Sequence, residues 1–227
     1  MDASVIYQIA VWLVPLIVAI VFHEVAHGLV ARQLGDPTAE RKGRLTFNPI
    51  RHVDPFGTVI LPMILAISHA PVFGWAKPVP VNYRRLRNPR RDMVLVALAG
   101  PGMNFLLALA GAAILAATIA LSAGGREGIP AFVAANALNF VLINLFLAVF
   151  NLIPVPPFDG GHVLEGLLPR PLARRFRKIG RYSLLLFVVL LLVLPSISPR
   201  ADVVSRVVTP VVRAIAVLFL GLFGVGL

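Results

Sequence analysis

The chain has 227 residues, of which 58% are hydrophobic, and its mean hydropathy is +0.87. This composition is typical of a protein that crosses a membrane several times, and it excludes a large soluble domain. Cysteine is absent, which excludes disulfides, thiolate zinc ligands and a cysteine nucleophile. The formal net charge is +11. Because the basic residues crowd into short loops, we interpret this charge as an orientation signal and expect no nucleic-acid partner.

The first apolar segment, Ala3–Leu34, is long enough to cross a bilayer as a helix and ends in an HEVAH pattern. Residues four apart share a helix face, so His23 and His27 can bind one metal ion. Glu24 follows the first histidine and is placed to act as a general base on a water molecule at that ion. Ionisable residues are costly in a membrane helix and usually mark a functional site.

The next apolar stretch, Phe56–Phe73, is interrupted by glycine and proline, and basic loops flank it on both sides. Three basic loops are expected on the cytoplasmic side, namely Arg41–Arg51, Lys77–Arg91 and Arg170–Arg181. A single crossing by Phe56–Phe73 would separate the first two loops, so we expect a re-entrant hairpin. The Val/Pro alternation of the following Gly74–Asn82, GWAKPVPVN, favours an extended segment.

Two further membrane helices are predicted at Val94–Leu121 and Ala131–Ile153, followed by the apolar stretches Leu184–Leu194 and Val207–Leu227. The predicted fold is therefore an all-α polytopic membrane protein. It has about five transmembrane helices and a re-entrant or extended segment after the first. We divide it into a core, residues 1–182, and C-terminal transmembrane helices, residues 183–227. In this topology Asp159 emerges on the cytoplasmic side, where the first helix also ends.

Asp159 is the best candidate for a third metal ligand, because it follows a helix end broken by prolines. Two histidines and one carboxylate, with a position left open, form a known catalytic zinc arrangement. One Zn²⁺ per chain is therefore expected. Asn151 is our candidate for a donor to the developing oxyanion. Asn144, seven residues earlier on the same face, supports the site or binds the substrate backbone.

Other interpretations of these residues remain open. An Asp-Gly pair is often a turn. Asparagine in a membrane helix often forms interhelical hydrogen bonds, which is the preferred role for Asn139. His52, His69 and His162 are further possible ligands, each interpreted first as a loop or cavity residue. Within the extended segment, Val79, Val81 and Asn82 are expected to bind an unwound substrate chain by strand addition.

Taken together, these motifs resemble the site-2 protease family of intramembrane zinc metalloproteases. The resemblance rests on the HEVAH pattern and on Asn151-Leu152-Ile153-Pro154 leading to Asp159-Gly160. Ala99-Gly100-Pro101 with Asn104 resembles a further family signature, and Phe47-Asn48-Pro49 with GWAKPVPVN resembles the compact bacterial members. The similarity covers about Val18 to Leu168. It implies zinc ligands at His23, His27 and Asp159, a catalytic base at Glu24, and substrate contact by Asn151 near the scissile bond.

The resemblance implies an intramembrane zinc endopeptidase that cuts membrane-spanning segments of other proteins, often to release a regulatory factor. Its expected partners are the lipid bilayer and a transmembrane substrate. Its expected place is the bacterial cytoplasmic membrane, with the active site toward the cytoplasm. The chain lacks the PDZ-like or nucleotide-sensing domain of larger members. Two alternatives remain: a transporter or ion-handling protein that uses the intramembrane His, Glu and Asp as a path, and an inactive relative that binds membrane helices.

Overall fold

The computed structural model describes residues 3–67, 74–122, 129–198 and 202–226, and these ranges contain helices and no strand. The α-helices are α1 Ala3–Gln33, α2 Thr38–Arg41, α3 Leu61–Ile67, α4 Pro89–Leu121, α5 Ile129–Asn151, α6 Asp159–Leu167, α7 Arg170–Ile179, α8 Ser183–Val188, α9 Leu194–Ile197 and α10 Thr209–Gly221. Shorter helical turns of 3₁₀ or π type occur at Pro49–His52, Pro55–Ile60, Tyr83–Arg85, Gly180–Tyr182, Val189–Val193 and Val204–Val208. The predicted all-α fold is confirmed.

Four helical stretches of the described chain are long and apolar enough to cross a membrane. They are Ile6–Gln33, Pro89–Leu121, Pro130–Asn151 and Val204–Gly221. A fifth span results if the helices Arg170–Tyr182 and Leu185–Ile197, which meet at a 74° bend, are counted as one. This number agrees with the predicted architecture of about five spans, and the protein is an integral membrane protein.

The central bundle consists of α1, α4 and α5, and small residues allow these helices to pack closely. Between α4 and α5 the buried contact includes Ala108, Ala112 and Val141. Helix α10 contributes Val212 and Ala216 to the same hydrophobic cluster. Helices from both sides of the predicted division between residues 1–182 and 183–227 thus share this cluster, and the division itself stays a prediction.

Between α1 and α4 the chain leaves along one arm and returns beside the start of that arm. The first arm, Pro55–Ile67, has 13 residues, which as a helix span about 20 Å, less than the hydrocarbon thickness of about 30 Å. The backbone N–H of Trp75 donates to Gly57 O at 3.1 Å, so the chain returns to the level at which it entered. This closure agrees with the predicted re-entrant hairpin. Residues 68–73, which include His69, lie outside the described residues.

The segment after the hairpin, residues 74–82, runs without helix beside α1. The N–H groups of Trp75, Lys77 and Val79 donate to Gly57 O, His52 O and Glu24 Oε2, the last two at 2.8 and 2.7 Å. Alternate residues of an extended chain direct their backbone groups to the same side, so this pattern agrees with the predicted extended conformation.

Two buried charged side chains anchor this segment. Arg44 donates from Nη2 to Lys77 O at 2.7 Å, and Asp36 accepts a hydrogen bond from the Asn82 N–H. Hydrogen bonds to charged groups are stronger than neutral ones, so they fix the position of the segment against the end of α1.

Candidate metal centre

Three donor atoms from two helices converge at one point in the bundle. His23 and His27 lie one turn apart on α1, with their Nε2 atoms 3.0 Å apart. Asp159, the first residue of α6, places Oδ2 at 3.2 Å from His23 Nε2 and 3.3 Å from His27 Nε2. Both histidines are buried, with 7% and 8% of their surface exposed. In the described part of the chain, these residues form a group that could hold a metal ion.

The remaining ring nitrogens of both histidines are hydrogen-bonded on the side away from this point. His27 Nδ1 lies 2.7 Å from the carbonyl oxygen of Val96, and His23 Nδ1 lies 2.6 Å from Asn104 Oδ1. A backbone carbonyl can only accept, so His27 Nδ1 must carry the proton. Its Nε2 then has a free electron pair, which is the form of histidine that binds a metal.

The converging atoms fit a cation and would repel one another without it. Asp159 Oδ2 is buried and has no hydrogen-bond partner within the described residues, although two ring nitrogens lie close to it. Tetrahedral ligands at the usual zinc distances of about 2.0–2.1 Å are about 3.3 Å apart, close to the observed separations. The His₂Asp set therefore fits Zn²⁺, with a fourth position left for a water molecule or substrate.

Gly100 on α4 allows the metal centre to form against this helix. A Cβ atom at this position would lie 2.6 Å from His23 Nε2 and even closer to His27 Nε2. Any side chain would thus occupy the space in which the donors meet. Glycine is required because α4 passes directly beside the two imidazoles.

The position of Asp159 depends on the tight turn that follows α5. A Cβ atom on Gly160 would overlap the carbonyl of Leu152, and one on Gly161 would lie 2.9 Å from Pro156 N. The two glycines therefore let the start of α6 fold back onto the proline-rich turn. This packing directs the Asp159 carboxylate at α1.

Glu24 is half-buried and points to a different partner from its two neighbouring histidines. Its Oε2 accepts the hydrogen bond from Val79 N–H, and the residue borders a cavity of about 2490 Å³. The same cavity is bordered by the three metal-binding candidates and by Val79 and Val81. The structure thus brings the predicted base, the predicted ligands and the extended segment to one space.

The two asparagines of α5 predicted at the site, Asn144 and Asn151, occupy different environments. Asn151 borders the cavity, and its Nδ2 donates to Leu147 O at 2.9 Å. Asn144 has no exposed surface, and its amide is bonded to Asn104 and to Phe140 O. The prediction that Asn144 binds substrate disagrees with this enclosed position, whereas the alternative prediction, that it supports the site, agrees with it.

The remaining predicted residues have structural contacts. Asn82 caps the turn after the extended segment by accepting from Arg84 N–H at 3.1 Å. Buried His52 bonds through Nε2 to Thr46 O at 2.8 Å, as expected for a loop residue. His162 is exposed and borders the cavity without belonging to the donor group. Asn139 donates to Val11 O at 2.8 Å, the interhelical hydrogen bond that was predicted.

Several contacts of the site were not predicted from the sequence. These are the bond of Asn104 to His23, the bond of Val96 O to His27, and the bond of Val79 N–H to Glu24. Asn104 stands out as a polar residue in an apolar helix, which is the one available signal. The other two use backbone atoms, which carry no sequence signal.

Comparison with known proteins relates the chain to metalloproteases. The model of peptidase family M50 matches residues 11–135 and 128–192. YwhC of Bacillus subtilis (strain 168), named as a zinc metalloprotease, is 39% identical over 196 residues, which cover 84% of this chain and 85% of that protein.

Two further relatives named as zinc metalloproteases give the same result. Rip2 of Mycobacterium tuberculosis (strain ATCC 25618 / H37Rv) is 33% identical over 191 residues, covering 84% of this chain and 68% of Rip2. Rip2 of Mycolicibacterium smegmatis is 29% identical over 188 residues, covering 82% of this chain and 67% of Rip2. No solved structure gives a significant match. From the family match along most of its length and the zinc-compatible donor set in its helices, this chain belongs to peptidase family M50, the site-2 protease family of membrane zinc metalloproteases.

Proposed function

We propose that this protein is an intramembrane zinc endopeptidase that cleaves membrane-spanning segments of other proteins. The observation that carries the proposal is the depth of the metal centre. His23 lies ten residues before the end of α1 at Gln33, and Gly100 lies eleven residues after the start of α4 at Pro89. At a rise of about 1.5 Å per residue, both helices place the centre about 15 Å from their ends. Peptide bonds that reach it would lie within the bilayer.

The chemistry follows from the donor set and from Glu24. His23, His27 and Asp159 would hold Zn²⁺, which when bound would polarise the scissile carbonyl and make a water molecule more acidic. Glu24 takes a proton from the attacking water as its oxygen bonds to the carbonyl carbon. The same carboxyl then gives a proton to the amide nitrogen as the C–N bond breaks, so protons balance. The Val79 N–H holds one Glu24 oxygen and leaves the other for this transfer.

Asn151 is the proposed donor to the oxyanion that forms on the carbonyl oxygen. It borders the cavity, and only one of its amide hydrogens is needed for the bond to Leu147 O. An uncharged donor aimed at developing charge in a water-poor site is an effective form of transition-state stabilisation.

The extended segment is the proposed docking edge for the unwound substrate. Its N–H groups at Trp75, Lys77 and Val79 are already used, and Pro78 and Pro80 have none. Trp75 O and Lys77 O already accept from Thr58 and Arg44, so the carbonyls of Ala76, Val79 and Pro80 are the proposed acceptors for the N–H groups that a substrate helix frees on unwinding. Val79 and Val81 border the cavity and would contact substrate side chains.

The proposed location is the bacterial cytoplasmic membrane, with the site opening toward the cytoplasm. The basic loops before and after the re-entrant hairpin lie on the side where α1 ends and α4 begins. Lysine and arginine in short loops favour that side. The proposed partners are a lipid bilayer around the helices and a single-span substrate protein. Regulated intramembrane proteolysis would release a fragment of that substrate.

The test is cleavage of a panel of single-span membrane proteins in liposomes, with zinc quantified in every enzyme preparation. Wild type and Glu24→Gln are compared with the control Glu40→Gln, whose carboxylate is exposed and pairs with Arg32 at 3.1 Å. We expect about one zinc in all three, and product from wild type and Glu40→Gln alone. Cleavage by Glu24→Gln would refute the role of Glu24 as the general base. Product ends that map only outside the spanning segment would refute intramembrane cleavage.

A further inference from the structure

We propose that Asn104, backed by Asn144, is a positioning residue that fixes the hydrogen-bonding form of His23 and so directs its Nε2 at the zinc. This inference rests on the proposed role of His23 as a zinc ligand. It extends the site to two buried side chains on α4 and α5 that do not reach the donor group.

The direction of the chain of hydrogen bonds begins at α5. Asn144 Nδ2 lies 2.8 Å from Phe140 O, one turn earlier on the same helix. Because a backbone carbonyl can only accept, the amide nitrogen of Asn144 must face it. The amide oxygen of Asn144 then faces Asn104, at 2.7 Å from its Nδ2.

A second carbonyl orients Asn104 in the same way. Its Nδ2 also lies 3.2 Å from Ala19 O on α1, which again can only accept. Two acceptors therefore hold the nitrogen side of the amide, and Asn104 Oδ1 is left facing His23 Nδ1 at 2.6 Å. His23 Nδ1 must consequently carry the proton, and the free electron pair is on Nε2, toward the zinc.

Burial makes the alternative orientation costly. Asn104 and Asn144 each have no exposed surface, so water cannot replace a broken bond. Reversing either amide would set two acceptors against each other in a low-dielectric interior. His27 differs, because its Nδ1 is fixed by the carbonyl of Val96. Of the two histidines, only His23 is oriented by a side chain, and this makes the effect accessible to mutation.

The test measures zinc affinity by competition with a chelator, in detergent, with every variant made in the Glu24→Gln background. No substrate is involved, so the result does not depend on proteolysis. Asn104→Leu should bind zinc about 10–100-fold more weakly, as is typical when a partner of a ligating histidine is lost. Asn139→Leu is the control, because Asn139, like Asn104, bonds to a backbone carbonyl of α1, at 2.8 Å to Val11 O, but does not bond to His23. It should keep wild-type affinity.

Asn104→Asp separates positioning from a purely structural role. The carboxylate keeps an acceptor for His23 Nδ1–H but loses both donated hydrogen bonds and adds a buried charge. Positioning predicts zinc affinity within a few fold of wild type, together with a lower thermal unfolding temperature than Asn104→Leu. Zinc affinities that instead follow thermal stability, with the aspartate variant weakest, would overturn the proposal.

Asn144→Leu tests the second asparagine of the pair, and it replaces Asn104→Leu as the test variant if that protein does not fold. It should weaken zinc binding less than Asn104→Leu, because Ala19 O still orients Asn104. The double variant should bind zinc as weakly as Asn104→Leu alone. Additive losses, or no loss in Asn144→Leu, would contradict the connected pair.

Two further measurements separate this inference from the proposed function. In zinc-loaded, ¹⁵N-histidine-labelled protein, the His23 Nδ1 proton should resist exchange with solvent and become labile in Asn104→Leu. Equal protection in both proteins would contradict the role of Asn104. His23→Ala should abolish zinc binding. Zinc retained by His23→Ala would refute His23 as a ligand, independently of the results for the Asn104 variants.

Discussion

The backbone N–H of Val79 donates a hydrogen bond to Glu24 Oε2 at 2.7 Å. These residues lie 55 positions apart, one on the membrane helix α1 and one on the extended segment after the re-entrant hairpin. Val79 also packs over Gly28, where a Cβ would lie 2.9 Å from Val79 Cγ1. The proposed base and the proposed substrate edge are thus held by one contact, and a change in the segment should reach the chemical step.

Replacing Val79 with proline removes the N–H that holds Glu24. We expect Val79→Pro to lower kcat roughly tenfold to a hundredfold, since misplaced catalytic groups cost factors of this size. Zinc content should stay near one per chain, because Val79 is not among the metal-binding candidates. The measurement is cleavage kinetics of a single-span substrate in liposomes.

The matched variant is Val79→Ala, which keeps the N–H and removes most of the side chain. Its kcat should fall less than that of Val79→Pro. Its main effect should be a higher KM, because packing in the cavity is reduced. Equal losses of kcat in the two variants would show that the hydrogen bond does not matter.

A methyl group at Gly100 should destroy the metal centre. Its Cβ would lie 2.6 Å from His23 Nε2, within the space of the donor atoms. Gly100→Ala should therefore bind little or no zinc, as measured by metal analysis after purification. Gly102→Ala is the control, since a Cβ there meets no atom within 4 Å. That variant should bind zinc normally and be slightly stabilised, because alanine favours a helix over glycine by up to about 1 kcal/mol. Normal zinc content in Gly100→Ala would mean that the metal binds elsewhere.

Removal of zinc should lower the thermal stability of the protein. Without the ion, the Asp159 carboxylate and two ring nitrogens face one another at 3.0–3.3 Å. Free zinc at about 100 times its dissociation constant stabilises the folded state by about 2.7 kcal/mol. Thermal unfolding with chelator and with zinc should show this shift in wild type and in Glu24→Gln. Asp159→Ala should lose most of it, and a full shift in that variant would exclude Asp159 as a ligand.

The re-entrant hairpin predicts that both of its ends lie on one side of the membrane. The chain has no cysteine, so single introduced cysteines report their own position. Arg51→Cys and Arg84→Cys, at exposed positions before and after the hairpin, should react with an impermeant thiol reagent from the same side. Ser122→Cys, at the far end of α4, should react from the other. Labelling of Arg51→Cys and Arg84→Cys from opposite sides would require a spanning segment.

Much of the architecture follows from local properties of the sequence. The long apolar runs specify α1, α4, α5 and the terminal helix, because a chain in lipid must satisfy its backbone hydrogen bonds internally. Charge bias together with the Gly and Pro residues of Phe56–Phe73 indicated the hairpin, and the closure of Trp75 onto Gly57 agrees with it. The spacing of His23 and His27 on one helix face was likewise readable, since it depends only on helical period.

Tertiary structure decided the features that depend on packing between distant segments. Asn144 was expected either to support the site or to bind the substrate backbone. It has no exposed surface and bonds to Asn104 of α4, and no local pattern reports which helix will cover a face. The contact of Val79 N–H with Glu24 and that of Val96 O with His27 use backbone atoms: every residue type supplies the carbonyl, and every type except proline supplies the N–H. The sequence by itself determined which side chains are the candidates for binding zinc and moving a proton. Only the packing of α1 against α4, α5 and the extended segment decided which atoms orient them, because that orientation arises from contacts between residues far apart in the chain.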